Sequence, residues 1–579
     1  MARQQALWVV VLIAALGLIA FQVGPREGSG DEEGRARTPA VADTVSEASR
    51  AHRYRTGAYL TVEPVAVDTQ AHVATLDLRW GTAWRDAETW EAAWIVLKGR
   101  RQADGVVVPL PVRASPRSVA GSGDAHAEPA FEVPADRAGA FVYRATSGAG
   151  AVAWRVEVPW EPGSSVDSIY ALGVEMVRVP TGPFLLGTAR SLSARRVETS
   201  VGSGTAPINA LFRVDPNGED LFGGPYAVTS EAAIPIGTDA GDLYYIDATI
   251  PGVDTYSGDR EGPLPAAYPK GHEGFYMMKY ELTEGHYVQF LNLLTPAQAR
   301  QRKDLSLRES GRPPRAYRHT ITQEGGRYQT PRPHRAASFL SWEDAMAWAD
   351  WFGLRPMTEL EFEKGARGPE PVAFREFVWG VSEIDEPDHL RLSGRILDPG
   401  GAPAMAEDGD EYVDGNAHVA MLHYDDAADV CQPDGIHYDP GYYACRVFEG
   451  GDGSRGPLRV GIHGVAGAGD RIRSGATYYG AMDLGGNLRE QVVTVGHPQG
   501  RAFRGTHGDG RLTEAGEATN VDWSAAAETH YFAFRGGSWR NAANHARTAD
   551  RFFALRTGGR VRTSTLGFRG VRTAPQQDP

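Results

Sequence analysis

Glycine-rich segments near the C-terminal end decide the fold of this chain. The first is Gly480-Ala-Met-Asp-Leu-Gly-Gly-Asn-Leu-Arg-Glu490, and the second is Phe534-Arg-Gly-Gly-Ser-Trp539, which is followed by Leu566-Gly-Phe-Arg-Gly-Val-Arg572. The whole sequence contains 69 glycines and 37 prolines, so turns and irregular segments are plentiful. This composition favours a loop-rich fold over a helical bundle, because glycine and proline supply the conformations that tight turns need.

Two segments further upstream predict strands and a helix. Met176-Val-Arg-Val-Pro-Thr-Gly-Pro-Phe-Leu-Leu-Gly187 has the pattern of a strand, a turn and a second strand. In Phe275-Tyr-Met-Met-Lys-Tyr-Glu-Leu-Thr-Glu-Gly-His-Tyr-Val-Gln-Phe-Leu-Asn292, Thr283 occupies the position of a helix N-cap. The helix that follows is predicted to carry on one face Tyr287, Phe290 and Leu291.

The segment from residue 341 to residue 368 predicts two helices in succession. A hydroxyl side chain followed three residues later by an acidic side chain is the pattern of a capping box. A glycine just past the last turn ends a helix. The residues predicted to begin and end the two helices in this way are Ser341, Asp344, Gly353, Thr358 and Glu361.

Taken in their order along the chain, these four regions resemble the formylglycine-generating enzyme (sulfatase-modifying factor) family, whose fold is related to C-type lectins. The resemblance implies an α+β fold over residues 173–573, with long insertions near 190–270 and 383–460. Most of the matching residues are scaffold, so they identify a fold and not an activity.

The enzymes of this family oxidise a substrate cysteine to formylglycine with copper, which two cysteines hold just beyond the Gly-Gly-Ser-aromatic signature. Cu(I) prefers thiolate ligands, but Asn541 and Ala546 stand at the two cysteine positions here. The resemblance therefore argues against copper and against formylglycine generation. The two cysteines of the chain, Cys431 and Cys445, lie upstream, and they form either one local disulfide or two buried thiols.

Catalytic relatives bind calcium through the segment that matches Gly486-Asn-Leu-Arg-Glu490. The resemblance implies a structural calcium ion held by Asn487 and Glu490. Calcium needs six to eight oxygen ligands, so two side chains alone do not make a site. The alternative is that both side chains satisfy backbone groups in a tight turn.

Length and charge narrow the classes of protein that this chain can represent. At 579 residues it is too long for one hydrophobic core, so two or more domains are expected. A formal net charge of -14 argues against a nucleic-acid partner, which requires a basic face.

The N-terminal part predicts export. Residues 1–23 combine a basic start with an apolar run and read as a signal-anchor or a signal peptide. Residues 24–53 have the composition of a disordered linker. We therefore expect an exported protein, either anchored to the membrane through its N-terminal segment or located in the periplasm or outside the cell.

Residues 54–162 are predicted to form a small β-sandwich, because short alternating strands are separated by glycine and proline turns. Four tryptophans in this region suggest either a sugar-binding platform or core packing. They are Trp80, Trp84, Trp90 and Trp94.

Two functions follow from these features. The first is a non-catalytic binding or structural component of the cell envelope, with a protein or glycan partner at the cell surface. Aromatic, arginine and asparagine side chains are typical of contact surfaces. The predicted contact residues, to which Phe552 and Phe553 are adjacent, are Trp539, Arg540, Asn541, Asn544, His545 and Arg551.

The alternative function is an enzyme of altered chemistry that modifies a protein or small-molecule side chain. In that case His545 would act as a general base, since histidine titrates near neutral pH. Such a base needs an orienting carboxylate, and the sequence offers Asp550 and Asp522, provided that the fold brings one of them close.

Overall fold

The computed structural model describes residues 52–575 with gaps. The gaps are 121–126, 164, 190–209, 216, 218–221, 246–258, 260, 304, 308–315, 465–468, 524–531, 542, 555–560 and all of 384–455 except 396–397, 403–404, 417, 419, 424–425 and 430–431. The predicted anchor, most of the predicted linker and Cys445 therefore lie outside the described residues. Among the described residues, no helix combines the length and the apolar composition that a membrane span requires.

The strands of the N-terminal half are short and mostly antiparallel. In chain order they are β1 (Thr61–Asp68), β2 (Val73–Trp80), β3 (Trp84–Arg85), β4 (Glu91–Arg101), β5 (Val107–Leu110), β6 (Arg117–Ala120), β7 (Pro129–Glu132), β8 (Ala140–Arg144), β9 (Gly148–Ala149), β10 (Val152–Pro159), β11 (Val166–Val179) and β12 (Phe184–Leu186).

The remaining strands follow in the same order. They are β13 (Leu211–Arg213), β14 (Tyr226–Val228), β15 (Ile234–Ile236), β16 (Leu243–Tyr245), β17 (Gly262–Leu264), β18 (Phe275–Met278), β19 (Thr322–Glu324), β20 (Arg327–Gln329), β21 (Arg355–Thr358), β22 (Ile396–Leu397), β23 (Pro403–Ala404), β24 (Tyr424–Asp425), β25 (Val430–Cys431), β26 (Glu490–Val493), β27 (Phe532–Arg535) and β28 (Gly570–Thr573).

Helices are few in the part of the chain that is described. They are α1 (Glu284–Leu293), α2 (Pro296–Arg302), α3 (Trp342–Trp351), α4 (Glu359–Arg367) and α5 (Pro498–Arg501), together with one 3-10 turn, Ala543–Ala546. Several sheets with few helices confirm the α+β class.

The helix boundaries predicted from the sequence are confirmed. The Thr283 side chain accepts from the backbone N–H of His286 and begins α1. Reciprocal capping boxes begin α3, between Ser341 and Asp344, and α4, between Thr358 and Glu361. Gly353 follows α3 with φ of 71°, a left-handed conformation that glycine adopts readily.

A ten-stranded sheet forms the centre of the fold, in the order β27-β26-β21-β28-β18-β11-β4-β8-β7, with β5 paired to β4. Strands β4 and β11 pair antiparallel along most of their length. The predicted domain boundary, between residues 162 and 173, overlaps the start of β11, which is a strand of this continuous sheet. Nine successive residues of β4 are buried, as expected for a central strand that is covered on both faces.

A second sheet, in the order β1-β2-β10-β6, covers the N-terminal part of this central sheet. Alternate residues of β2 and β10 point into one core with the inner faces of β4 and β8. The four tryptophans considered for a sugar-binding platform, Trp80, Trp84, Trp90 and Trp94, are buried, so they pack in the interior and do not form an exposed platform.

The described part of the first insertion also packs on the central core. Its strands form a small sheet in the order β13-β16-β15-β17. Leu211, Leu243 and Tyr245 are fully buried in the same hydrophobic cluster as α1 and α3. This segment is thus part of the domain interior and covers the region beside β26 and β27.

Candidate functional site

The two C-terminal signatures lie side by side. Strand β26 pairs antiparallel with β27, which places Glu490 opposite Arg535. The turn after β27 is joined to the turn before β26 by two backbone hydrogen bonds, from Gly486 N to Gly536 O (2.7 Å) and from Trp539 N to Asn487 O (2.8 Å). A side chain on Gly536 would collide with the carbonyl oxygen of Leu484. These contacts hold the beginning of the signature loop, which we define as residues 536–541 and 543–554, against the turn before β26.

Two of the predicted contact residues lie in the interior. Trp539 is fully buried, and its indole N–H donates to the carbonyl of Ser564 at 2.9 Å. Arg551 is also buried, since its guanidinium binds both carboxylate oxygens of Glu359, at 2.5 and 2.8 Å. Neither side chain is available to a partner. The sequence prediction placed both at the surface because aromatic and arginine side chains serve packing as well as recognition.

The remaining predicted contact residues share a half-buried patch. We define the signature patch as six of the half-buried side chains of the loop, which are Arg540, Asn541, Asn544, His545, Asp550 and Phe552. It extends across the 3-10 turn and the residues that follow it. Phe553 lies just below this patch and is buried.

The two positions that hold copper in the catalytic relatives do not fit copper here. The Asn541 amide oxygen accepts from Ser538 Oγ at 2.7 Å and from Arg489 Nε at 2.9 Å. Ala546 is fully buried. The Arg489 guanidinium lies 4.0 Å from the centre of the Phe553 ring. The site thus contains an amide held by a cation, and it offers no thiolate for Cu(I).

The fold brings an orienting carboxylate to His545. The distance from His545 Nδ1 to Asp550 Oδ1 is 3.2 Å. The Phe552 backbone N–H holds the same carboxylate oxygen at 3.2 Å. Asp522 instead accepts from the backbone N–H of Arg504 at 2.9 Å, in another loop. A carboxylate facing Nδ1 favours the tautomer with its proton on that atom, which leaves Nε2 as a proton acceptor.

A buried ion-pair network supports the loop from below. Glu359, the first residue of α4, binds Arg551 and Arg535, and Arg535 also binds Glu363 at 3.0 Å. Burial raises the pKa of Glu359, but Arg551 and Arg535 outweigh it and lower the pKa to about 2. Tyr245 from the insertion lies against the Arg551 guanidinium, 4.3 Å from ring centre to carbon. The sequence analysis did not identify Glu359 as a residue of this site. Its position directly after the N-cap Thr358 was the only indication that the sequence offered.

One oxygen of each side chain expected to bind calcium accepts from a protein donor, while Glu490 Oε2 is buried without a partner among the described residues. The Asn487 amide oxygen accepts from the Leu458 N–H at 2.8 Å, and its nitrogen donates to Glu281 at 2.5 Å. Glu490 accepts from Arg569 Nε at 2.8 Å. Among the described residues, no group of three or more histidine, cysteine or acidic side chains is arranged to hold a metal. Calcium at this pair therefore stays a prediction.

These contacts are part of a buried cluster of three carboxylates. Burial, with the neighbouring charges of Asp483 and Glu490, raises the pKa of Glu281 well above its ordinary value. Arg569 compensates the cluster and also donates to the carbonyls of Met278 and Met482, at 2.7 and 2.6 Å. The sequence did not indicate this cluster, because its members lie far apart along the chain. It joins the region of residues 275–292 to the C-terminal signatures and is a structural element.

The site and the fold together define the class of this protein. Residues 236–403 match the sulfatase-modifying factor enzyme 1-like domain, and the chain therefore carries a formylglycine-generating-enzyme-like domain. One curated relative is the formylglycine-generating enzyme of Streptomyces coelicolor, which is 43% identical over 78 residues. That alignment covers 13% of this chain and 22% of the relative, so the chain spans about a fifth of the relative's length.

Proposed function

We propose that this chain is an exported cell-envelope protein whose formylglycine-generating-enzyme-like domain is a non-catalytic binding or structural component. Its partner would be a protein or a glycan at the cell surface, and residues 1–23 would anchor or export it. The relation of the domain to C-type lectins, which bind through loops on a rigid scaffold, is part of this proposal.

The locked Asn541 side chain carries the proposal. A catalytic relative needs a thiolate at this position, whereas this amide is held by two donors at 2.7 and 2.9 Å. The half-buried side chains beside it combine amide, guanidinium, imidazole and phenyl groups. His545 contacts both Asp550 and the Phe552 ring, and side chains that are already held lose less conformational entropy on binding.

Photo-crosslinking in cells tests the binding function. A photoreactive amino acid replaces Asn544 in the signature patch, and a matched control carries it at Gln329, an exposed residue of β20. We expect an adduct that depends on light at position 544 and exceeds the one at position 329. Equal labelling at the two positions would contradict the proposal.

A second assay tests the absence of family chemistry. The purified full chain is loaded with copper and incubated with a cysteine-containing sulfatase peptide, with the Streptomyces coelicolor enzyme as positive control. We expect no formylglycine in the peptide by mass spectrometry. Turnover comparable with that of the control would refute the non-catalytic interpretation.

The distance of 3.2 Å between His545 and Asp550 favours a second candidate function, an enzyme that uses His545 as a general base. In that case His545→Gln abolishes activity, whereas Asp550→Asn reduces it and shifts its pH profile. A panel of acyl and phosphoryl ester substrates would detect such activity. If His545→Gln retains all of the turnover that the wild type shows, this candidate is excluded.

A further inference from the structure

The segment just before β1 lies in a groove that glycines line. We define the strap as residues 53–60, which belong to no strand. A Cβ atom built on Gly464 would be 2.6 Å from Thr56 Oγ1, and one built on Gly480 would be 2.6 Å from the carbonyl oxygen of Arg53. The absence of side chains at these two glycines therefore leaves the space that the strap occupies. Gly480 is also the first residue of the first signature segment.

Two buried residues anchor the strap, Arg53 and Thr56. Arg53 forms an ion pair with Asp86 and donates to the carbonyl of Tyr478 at 3.0 Å. Thr56 Oγ1 donates to the carbonyl of Gly461 at 2.7 Å. The strap is thus bound to residues that lie more than 400 positions later in the chain.

Tyr59 joins the strap to residues 458–464, which we call the connecting segment. Its hydroxyl donates to the carbonyl of Val460 at 2.7 Å and accepts from Arg459 Nη1 at 2.8 Å. Its ring stacks on His334, with 4.0 Å between the ring centres. One strap side chain therefore holds two successive residues of the connecting segment.

The connecting segment is also bound to the turn before β26. The Leu458 N–H donates to Asn487 Oδ1 at 2.8 Å, and the Asn487 carbonyl accepts from the Trp539 N–H at 2.8 Å. Val460 and Trp539 lie in one buried hydrophobic cluster, against which Tyr59 packs. A continuous chain of contacts therefore runs from the strap to the beginning of the signature loop.

We propose that the strap is a conformational device whose seating keeps the signature loop in order. Detaching it breaks no sheet ladder, because it belongs to no strand and is followed by β1, an edge strand. Segments outside the core sheets open locally at a lower free energy than core strands do. When the strap leaves its groove, the connecting segment loses the Thr56 and Tyr59 contacts, and the backbone N–H groups of Leu458 and Trp539 lose their protection from solvent with it.

The position of the strap in the chain gives this device a use. The strap begins where the predicted linker, residues 24–53, ends. A load or a partner that acts on the linker would therefore reach the signature loop through the strap, and it would weaken binding at the signature patch. This consequence rests on the proposed binding function, whereas the coupling between strap and loop does not.

Hydrogen–deuterium exchange of the full chain, read by mass spectrometry with residue-level fragmentation, tests the coupling without any partner. Tyr59→Phe and Thr56→Val each remove one hydroxyl that binds the connecting segment. Tyr170→Phe is the matched control, because it removes a hydroxyl on β11 that accepts from Arg100 Nε at 3.1 Å. The backbone N–H groups of β4 report on opening of the central sheet.

We expect each strap variant to speed exchange of the Leu458 and Trp539 N–H groups about tenfold or more, since each leaves a carbonyl of the connecting segment without its donor. The same factor is expected at position 56, while β4 keeps its wild-type rates and the control leaves Leu458 and Trp539 unchanged. Three results would overturn the proposal. They are faster exchange confined to the strap, equal acceleration in β4, and no acceleration at any of these positions.

Discussion

Replacing Glu359 with glutamine removes the charge that holds Arg535 and Arg551 beneath the signature loop, while it keeps the size of the side chain. The pKa of Glu359 is lowered from an ordinary value of 4.5 to about 2. Each tenfold change in proton affinity corresponds to about 1.4 kcal/mol, so the charged form stabilises the folded chain by roughly 3 kcal/mol. Breaking a buried ion pair by removing one partner costs about 3–5 kcal/mol, which agrees in magnitude.

The free energy of unfolding that Glu359 contributes depends on pH with a definite sign. A carboxylate whose pKa is lowered by folding contributes stability above its unfolded pKa, and that stability is lost as the pH falls. For Glu359 the contribution is complete above about pH 5 and declines between the unfolded value of 4.5 and the folded value of about 2. The difference between the wild type and Glu359→Gln is therefore largest at neutral pH and shrinks towards pH 2.

Urea unfolding followed by tryptophan fluorescence, at a series of pH values from neutral to acid, measures this difference. Glu514→Gln is the matched control, because Glu514 is exposed and the same charge is removed. We expect the control to change the free energy of unfolding by less than about 0.5 kcal/mol. A difference for Glu359→Gln that is below 1 kcal/mol, or that does not vary with pH, would refute the assignment of the ion pairs.

Two further predictions concern the signature turns. Trp539→Ala should lower the free energy of unfolding by about 3–5 kcal/mol, because it empties a buried site. Trp539→Phe should lower it less, since phenylalanine keeps most of the packing. Equal effects of the two substitutions would contradict the burial of Trp539. Chelation should leave the melting temperature unchanged, because Asn487 and Glu490 are engaged by Leu458 and Arg569. Stoichiometric calcium by elemental analysis, with a fall in melting temperature on its removal, would instead establish the calcium site that the sequence suggested.

Local features of the sequence predicted local features of the structure. The caps at Thr283, Ser341 and Thr358 depend on residues three positions apart, and all three are confirmed. The sequence could not decide whether Asp550 or Asp522 contacts His545, because the shape of the intervening chain was unknown. In the structure Asp550 contacts His545, whereas Asp522 accepts from the backbone N–H of Arg504.

Features that combine distant segments could not be predicted. The buried Arg355, for example, donates to Thr573 Oγ1, which lies 218 positions further along the chain. The ten-stranded sheet contains β4, β11 and β18. The sequence pattern of short strands separated by glycine turns is the same for such a sheet as for a separate β-sandwich, so it could not distinguish the two. The burial of arginine and tryptophan side chains is hard to predict from one sequence. Arg551 and Trp539 were predicted to be surface contact residues, and both are buried.

Several residues that carry the resemblance to formylglycine-generating enzymes hold turns together. Trp539 donates to the Ser564 carbonyl, and Arg569 donates to the Met278 and Met482 carbonyls. Losing any of these bonds would leave buried backbone groups unsatisfied, at about 1–3 kcal/mol each. Asn541, with its two donors, and the buried Ala546 occupy the two cysteine positions of the catalytic relatives and leave these bonds in place. The scaffold bonds therefore do not depend on thiolates at these positions, and we expect any new contacts to arise from the half-buried side chains of the loop.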